Sequence, residues 1–310
     1  MKEVFDVIIV GGGPAGLNAA LILARCLRKV LIFDHGKPRN WKSESIHGFL
    51  SRDGFNPSEL LEISRLQLVP YDVKFIHAEV IDAVYKEHFV ITDESGNKYY
   101  SKKLLLATGL IDNLPKIEGI EEFYGNSIHH CAYCDGYEVR SKALAIYGYG
   151  KSGAGLAKLM TNWCDDIIYF TDGKPVNLKE EKDLLEKGVA TERGRIRKLD
   201  GTDGKLERVI MENGDVIPRE ALFFTTHQYQ KSGIADLLSC EFTKKGVVKT
   251  DRFQQTNISG LYVAGDASRD VQLIIVAAAE GAKAAVIIDQ ALQEEYLTGK
   301  KVRNKYDLKK

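Results

Sequence analysis

The residues best suited to chemistry lie together in one stretch, His129-His130-Cys131-Ala132-Tyr133-Cys134-Asp135-Gly136. Two cysteines separated by two residues can close into a small disulfide and reopen as a dithiol. Thiol–disulfide exchange needs a thiolate to attack and a second thiol to resolve the mixed disulfide. One tight loop supplies that second thiol at high local concentration. A helix N-terminus or a nearby cation would lower one thiol's pKa and make it reactive at neutral pH. Asp135 follows directly and is placed to pass protons to a leaving thiolate. The same run also reads as half of a zinc site, with His129 and His130 as further ligands. Cys26, Cys164 and Cys240 stand alone, so no second Cys-x-x-Cys completes such a site. One pair beside a βαβ pattern favours redox chemistry, and no metal is expected.

Two glycine-rich turns could hold carriers. The first is Gly11-Gly12-Gly13-Pro14-Ala15-Gly16, in which Gly11, Gly13 and Gly16 fill the G-x-G-x-x-G pattern. A β-branched strand over 4–10 precedes it, an apolar helix over 17–27 follows, and a strand over 30–33 ends at Asp34. The glycines let backbone approach a pyrophosphate, the helix N-terminus stabilises its charge, and Asp34 bonds ribose hydroxyls. Strand, glycines, helix, strand and acid occur in register, which makes the signal specific. The second turn, Gly148-Tyr149-Gly150-Lys151-Ser152-Gly153, lies between a strand over 143–147 and a helix over 154–163. Counted from the third glycine, Thr171 takes the place of Asp34, and Asp172 lies one residue on. No arginine follows closely, as a 2′-phosphate would require. Gly148, Gly150 and Gly153 are therefore candidates for a nicotinamide nucleotide, with NADH compatible and NADPH disfavoured. A dinucleotide fold that has outlived its site is the competing reading.

The remaining elements supply the frame. A helix is expected over 57–68, strands over 73–80, 89–92 and 103–107, and a close backbone approach at Thr108-Gly109. Crossovers between domains are read at 114–117 and 242–247. Residues 187–215 read as a hairpin-rich insert with turns at Asp200-Gly201 and Asn213-Gly214. A strand over 221–226 leads to His227, and another ends at Gly265-Asp266 before a helix over 274–292. Asp266 would bond a ribityl chain or anchor that helix start. His47 reads as a loop or core histidine on sequence grounds.

Composition narrows the partners. The 310 residues suffice for about two domains at ~150 residues each. Lys+Arg and Asp+Glu are both 43, so charge gives no case for nucleic acid or an anionic membrane. No apolar run approaches the ~18 residues of a membrane span, and the N-terminal apolar run is too short for a signal peptide. The run starting Lys300-Lys301-Val302-Arg303 reads as a solvated basic tail. Five cysteines do not suit a secreted disulfide framework, so a cytoplasmic location is expected.

With these motifs in place, the chain resembles the low-molecular-weight thioredoxin reductase family over nearly its whole length. The resemblance is carried by residues 11–16, Ala107-Thr108-Gly109, residues 131–136 and 148–153, and Ala264-Gly265-Asp266. It implies an α/β protein of two Rossmann-like, three-layer dinucleotide-binding domains, the second inserted into the first. The FAD domain would comprise 1–113 and 245–310, and the central domain with the cysteines 114–244. The resemblance also implies FAD bound at Gly11, Gly13, Pro14, Ala15 and Gly16, with Asp34, Asn40, His47, Thr108, Gly109, Gly265, Asp266, Gln272 and Leu273 around it. It implies a homodimer, with Cys134 facing the flavin, Cys131 attacking the external disulfide and Asp135 donating the proton. Where that family reads a 2′-phosphate with a His-Arg-Arg run, this chain has Thr171-Asp172-Gly173-Lys174.

Residues 130–138, with Lys37-Pro38-Arg39-Asn40 and His47-Gly48-Phe49, are similar to a side branch that includes gliotoxin-type dithiol oxidases. Those oxidases usually carry His after the second cysteine. This chain has Asp135, as reductases do, so reduction is expected. The expected activity is an FAD-dependent disulfide reductase acting on a thioredoxin-like protein or a small disulfide. The rivals are a dithiol oxidase using oxygen, a reductase fed by ferredoxin, and a metal-binding or redox-sensing flavoprotein without turnover.

Overall fold

In the computed structural model, which describes residues 2–269 and 271–299, strand β1 (Val4–Val10) buries Val7, Ile8 and Ile9 completely. An unbroken β-branched run suits a parallel strand covered on both faces. Helix α1 (Pro14–Arg25) opens with Pro in its first turn, and β2 (Val30–Phe33) pairs parallel with β1, Val7 opposite Val30. Then come α2 (Pro57–Leu66), β3 (Val73–Ile76), β4 (Val80–Tyr85), β5 (Phe89–Asp93), β6 (Lys98–Leu106) and β7 (Leu110–Asp112). The sheet runs β3-β2-β1-β6-β5-β4. Alternate residues of β1 and β2 feed opposite cores: Val7, Ile9, Val30 and Ile32 one, Ile8, Val10, Leu31 and Phe33 the other.

The chain then builds α3 (Ile120–Phe123), β8 (Ile128–His129), α4 (Ala132–Asp135), β9 (Leu144–Tyr147), α5 (Gly150–Met160), β10 (Ile167–Phe170), α6 (Leu178–Leu185) and β11 (Val189–Glu192). Next are β12 (Ile196–Thr202), β13 (Lys205–Met211), β14 (Val216–Pro218) and β15 (Ala221–Phe224). Strands β11-β10-β9-β15-β8 form one parallel sheet. Leu144 and Ile146 face a core with Ala157 of α5, while Ala145 and Tyr147 face one with Leu199 and Val209 of the antiparallel β12-β13-β14 sheet. The hairpin between β12 and β13 turns at Asp203-Gly204, not at Asp200-Gly201. Asp203 and Gly204 both take left-handed φ, 50° and 71°, as a tight two-residue hairpin requires, whereas Asp200 and Gly201 lie within β12.

After β16 (Gln228–Gln230) come α7 (Ile234–Leu237), β17 (Leu261–Val263), a 3₁₀ turn over Asp266–Ser268 and α8 (Ile274–Thr298). Strand β17 extends the first sheet beside β6. The helix expected over 274–292 runs on to a left-handed Gly299 cap.

The chain divides into two compact units. One comprises residues up to Arg39, Ser58–Ile111 and Tyr229 onward; the other comprises Asn40–Pro57 and Asp112–Gln228. Two boundaries differ from the sequence expectation. The return crossing lies near residue 229, not 245, because Ile234, Ala235, Leu238 and Cys240 bury in the same core as Ile8 and Val10. Residues 40–57 belong with the inserted unit: Lys42 Nζ bonds the Glu121 carbonyl at 2.9 Å, and His47 Nδ1 lies 3.5 Å from Glu138. The basic run from Lys300 lies outside the described residues. No helix among the described residues is long and apolar enough to cross a membrane.

Candidate functional site

Cys131 and Cys134 are joined as a disulfide within the inserted unit. Cys131 caps the short helix α4, its Sγ accepting the Cys134 N–H at 3.2 Å. The loop is held tightly from behind. A Cβ on Gly136 would lie 2.5 Å from the Ala132 carbonyl and 2.9 Å from the Trp163 ring, so only glycine fits. Tyr133, between the cysteines, points outward at 69% exposure and meets Trp163 edge-on.

The two histidines before the pair do not converge on sulfur. His129, on β8 and packed on the Phe223 ring, offers Nδ1 to Asp135 Oδ1 at 3.3 Å. His130 Nδ1 lies 3.7 Å from Asp112 and 3.5 Å from the Tyr124 hydroxyl. Asp135 is thus a carboxylate beside Cys134 with its own histidine. Sequence spacing did not reveal that pairing, because His129 comes from a strand and Asp135 from a helix.

The first glycine turn lies in the other unit and borders a cavity of ≈ 300 Å³. Gly11, Gly12, Gly13, Asp34, Arg39, Thr108 and Gly109 are among its lining. Gly11 has φ 114°, and a Cβ there would overlap the Ala107 carbonyl, so strand ends β1 and β6 approach only through glycine. Gly13 caps α1 without a side-chain bond, which leaves backbone N–H groups for an anion. Asp34 accepts from Gly36 N at 3.0 Å and pairs with Arg65 at 2.7 Å, and carboxylate lone pairs remain for ribose hydroxyls. Pro14, Ala15 and Gly16 form the first turn of α1. These residues fit the FAD that the resemblance implies.

Elsewhere in that unit Arg39 Nη1 joins Asp266 Oδ2 at 2.9 Å and Gln272 Oε1 at 2.6 Å. Gly265 precedes the 3₁₀ turn and Leu273 caps α8. Asn40 and His47 fall in the inserted unit. The cavity also holds a group that sequence reasoning missed. Lys231 lines it and bonds the Lys37 carbonyl, and burial holds its ammonium below the usual lysine range. It arrives from the segment after β16, far from any glycine motif, and carried no sequence signal.

The second glycine turn is different. Thr171, in the register of Asp34, is 1% exposed and its hydroxyl has no hydrogen-bond partner. Asp172 takes a left-handed φ of 52° and points its carboxylate at Tyr147 Oη, 3.0 Å, and Ile196 N, 3.1 Å. Tyr149 hydrogen-bonds Tyr147 through their hydroxyls. Lys174 stands 6.0 Å from the Tyr149 ring. Arg195, beyond the reach of a strand-end motif, packs over Gly173, its Nε 3.2 Å from where a Cβ would sit.

A family described as pyridine nucleotide-disulphide oxidoreductase matches residues 5–281. Thioredoxin reductase tcpT of Claviceps purpurea is 31% identical over 282 residues, 86% of this chain and 87% of that protein. Among solved structures, the putative thioredoxin reductase TrxB of Bacillus anthracis superposes with TM-score 0.90 at 31% identity, over 94% of this chain and 99% of that one. HlmI superposes with TM-score 0.91 at 31% identity, over 96% of each.

Proposed function

The chain belongs to the pyridine nucleotide-disulphide oxidoreductase family as a thioredoxin reductase-like member, and from that premise we propose that it reduces disulfides through the Cys131–Cys134 pair. Membership implies FAD, and the glycine turn, Asp34 and the cavity beside them would hold it. Bound FAD supplies a two-electron carrier between the donor and the cysteine pair. In the dithiol state, the Cys134 N–H that now points at Cys131 Sγ would favour a Cys131 thiolate. That thiolate attacks the substrate disulfide and forms a mixed disulfide, releasing one substrate thiol. The Cys134 thiol then displaces the second substrate thiol and restores the Cys131–Cys134 disulfide. The first departing thiolate takes a proton from Asp135; Cys134 gives its proton to Asp135 as it attacks, and Asp135 passes it to the second departing thiolate.

The observation that carries the direction is Asp135 beside Cys134, oriented by His129. The substrate class is a thioredoxin-like protein or a small disulfide. NADH is the donor we favour over NADPH, because the strand end presents the Asp172 carboxylate and Arg195, while neighbouring Arg193 is paired with Glu181. Ferredoxin is the alternative donor. We infer a homodimer from the family resemblance, checked by light scattering, and a reducing cytoplasm in keeping with free Cys26, Cys164 and Cys240.

A dithiol oxidase that sends electrons to oxygen is the second reading, and Tyr149 in the nucleotide position favours it. Rapid-mixing measurements with NADH, NADPH and reduced ferredoxin, followed by turnover on thioredoxin-like and small disulfides, decide between the two. Oxygen consumption with a small dithiol that outpaces every disulfide reduction would replace the reductase reading.

A further inference from the structure

Laid side by side, the two glycine turns single out one residue. Gly11, Gly12, Gly13 and Gly16 correspond to Gly148, Tyr149, Gly150 and Gly153. In the first unit a Cβ on Gly12 would run into the Asp34 carboxylate. The direction from glycine turn to strand-end acid is where a dinucleotide's adenosine ribose bonds, and in that unit it opens on a cavity. In the second unit the equivalent position carries a tyrosine.

That tyrosine is tied down. Tyr147 has one hydroxyl proton, and the Asp172 carboxylate 3.0 Å away can only accept it. The Tyr149 hydroxyl must then donate to Tyr147. The other Asp172 oxygen is fixed by Ile196 N at 3.1 Å. The two tyrosine rings pack edge-on, centroids 5.5 Å apart. Burial first, then the Tyr149 hydroxyl and the Asp172 charge, push the Tyr147 phenol far above its usual range, so it stays a neutral donor at any working pH. The chain Tyr149–Tyr147–Asp172 therefore runs from the glycine turn to the end of β10. Tyr149 itself is 39% exposed, so one side of its ring faces solvent.

We propose that Tyr149 is a gate on a nicotinamide-dinucleotide site. Tied to Tyr147, it fills the space between the glycine turn and the end of β10, and the adenosine ribose of the nucleotide enters only when Tyr149 swings away. The proposal rests on the reading of NADH as donor and names the residue that sets its affinity. Lys174 and Arg195 stand at the same strand end, beside the place the adenosine ribose would take once the gate is open. A site open for only part of the time has its apparent Kd raised by the reciprocal of the open fraction. Loss of one hydrogen bond and one aromatic pair corresponds to roughly tenfold in that fraction.

Calorimetric titration of the FAD-loaded protein with ADP-ribose and with NAD⁺, neither of which delivers electrons, tests this. Tyr149→Gly, which restores the residue type of the first turn, should tighten both ligands about tenfold or more. Tyr149→Phe, which keeps the ring but not the hydroxyl, should fall between. Tyr149→Ser is a second opening variant in case the added glycine disturbs the turn, with melting temperature as the check on folding. Affinity that is unchanged, weaker, or undetectable in both Tyr149→Gly and Tyr149→Ser overturns the gate. The donor reading is judged separately, by NADH turnover in the unaltered protein. Tightening without such turnover would leave the gate standing and remove NADH as donor.

Discussion

His129 Nδ1 lies 3.3 Å from Asp135 Oδ1, with the imidazole 8% exposed and set against Phe223. The strand that carries His129 pairs in register with β15, Phe223 opposite His129, so the imidazole is fixed by the sheet. The carboxylate beside the redox pair is thereby oriented by a rigid element and not by its own short helix. Asp135→Asn keeps the shape and removes the acid. Disulfide turnover should fall ~10²–10⁴-fold, the usual range for losing a general acid, while donor-driven flavin reduction persists. His129→Gln keeps a side chain on the strand but removes the ring nitrogen that faces Asp135. It should cause a smaller loss than Asp135→Asn and add little to it in the double variant. Losses that simply multiply would show that His129 does not act through Asp135.

The two cysteines should separate by trapping. With Cys134→Ser, Cys131 can still attack a substrate disulfide, but nothing resolves the adduct, so a stable mixed disulfide should accumulate. With Cys131→Ser the adduct should be much scarcer, because the cysteine that attacks is gone. Intact-mass measurement after mixing with a small disulfide reads this directly. Equal adduct on the two variants would reverse or abolish the division of roles. Both variants should lose steady-state turnover.

The glycine cavity predicts one FAD per chain and a specific way to lose it. Gly11→Ala places a methyl group against the Ala107 carbonyl at a φ of 114° that alanine resists. The purified variant should be largely colourless and less stable, by about 1–3 kcal/mol for the backbone strain alone. Gly13→Ala meets nothing within 4 Å and should fold with its stability unchanged, while binding FAD less tightly if the pyrophosphate passes there. FAD content from the visible spectrum, beside denaturant melts, separates the two. Full FAD in Gly11→Ala would place the cofactor elsewhere.

What the sequence made legible follows from what it encodes locally. The first βαβ unit was readable because β1, the glycines, α1, β2 and Asp34 are contiguous and each contributes its own signal. The disulfide loop was readable for the same reason. The return crossing was not, because Ile234 and Leu238 look like any short amphipathic turn until they are seen in the core with Ile8 and Val10. Nor was the membership of residues 40–57, which rests on polar ties such as Lys42 to Glu121. Site residues from distant segments were likewise hidden. Lys231 in the cavity and Arg195 over Gly173 come from connecting segments with no motif, and on spacing His129 reads only as a metal ligand. Spacing names residues that share an element; it does not name those that meet through a sheet.

The donor supplies the last prediction. A 2′-phosphate carries close to two charges near neutral pH and is best held by a planar fork of arginines. At the end of β10 this chain offers Lys174 on a flexible stem and, from beyond β11, Arg195 and an Arg193 already paired with Glu181, next to the Asp172 carboxylate. Asp172 is committed to Tyr147 and Ile196, so it stays in place and repels an incoming phosphate. Each charge-assisted bond is worth ~1.5–3 kcal/mol, so replacing a pair of uncommitted arginines by Arg195 beside a carboxylate could cost NADPH about a hundredfold. NADH has a hydroxyl at that position and loses nothing. Stopped-flow reduction should therefore be faster with NADH than with NADPH at equal micromolar concentration. Arg195→Ala should weaken NADPH further and leave NADH nearly unaffected. Tyr149 slows both nucleotides, so rates that are low with each but high with reduced ferredoxin would assign the donor to a protein. Faster reduction by NADPH than by NADH would show that Lys174 and Arg195 together form a working phosphate site despite Asp172.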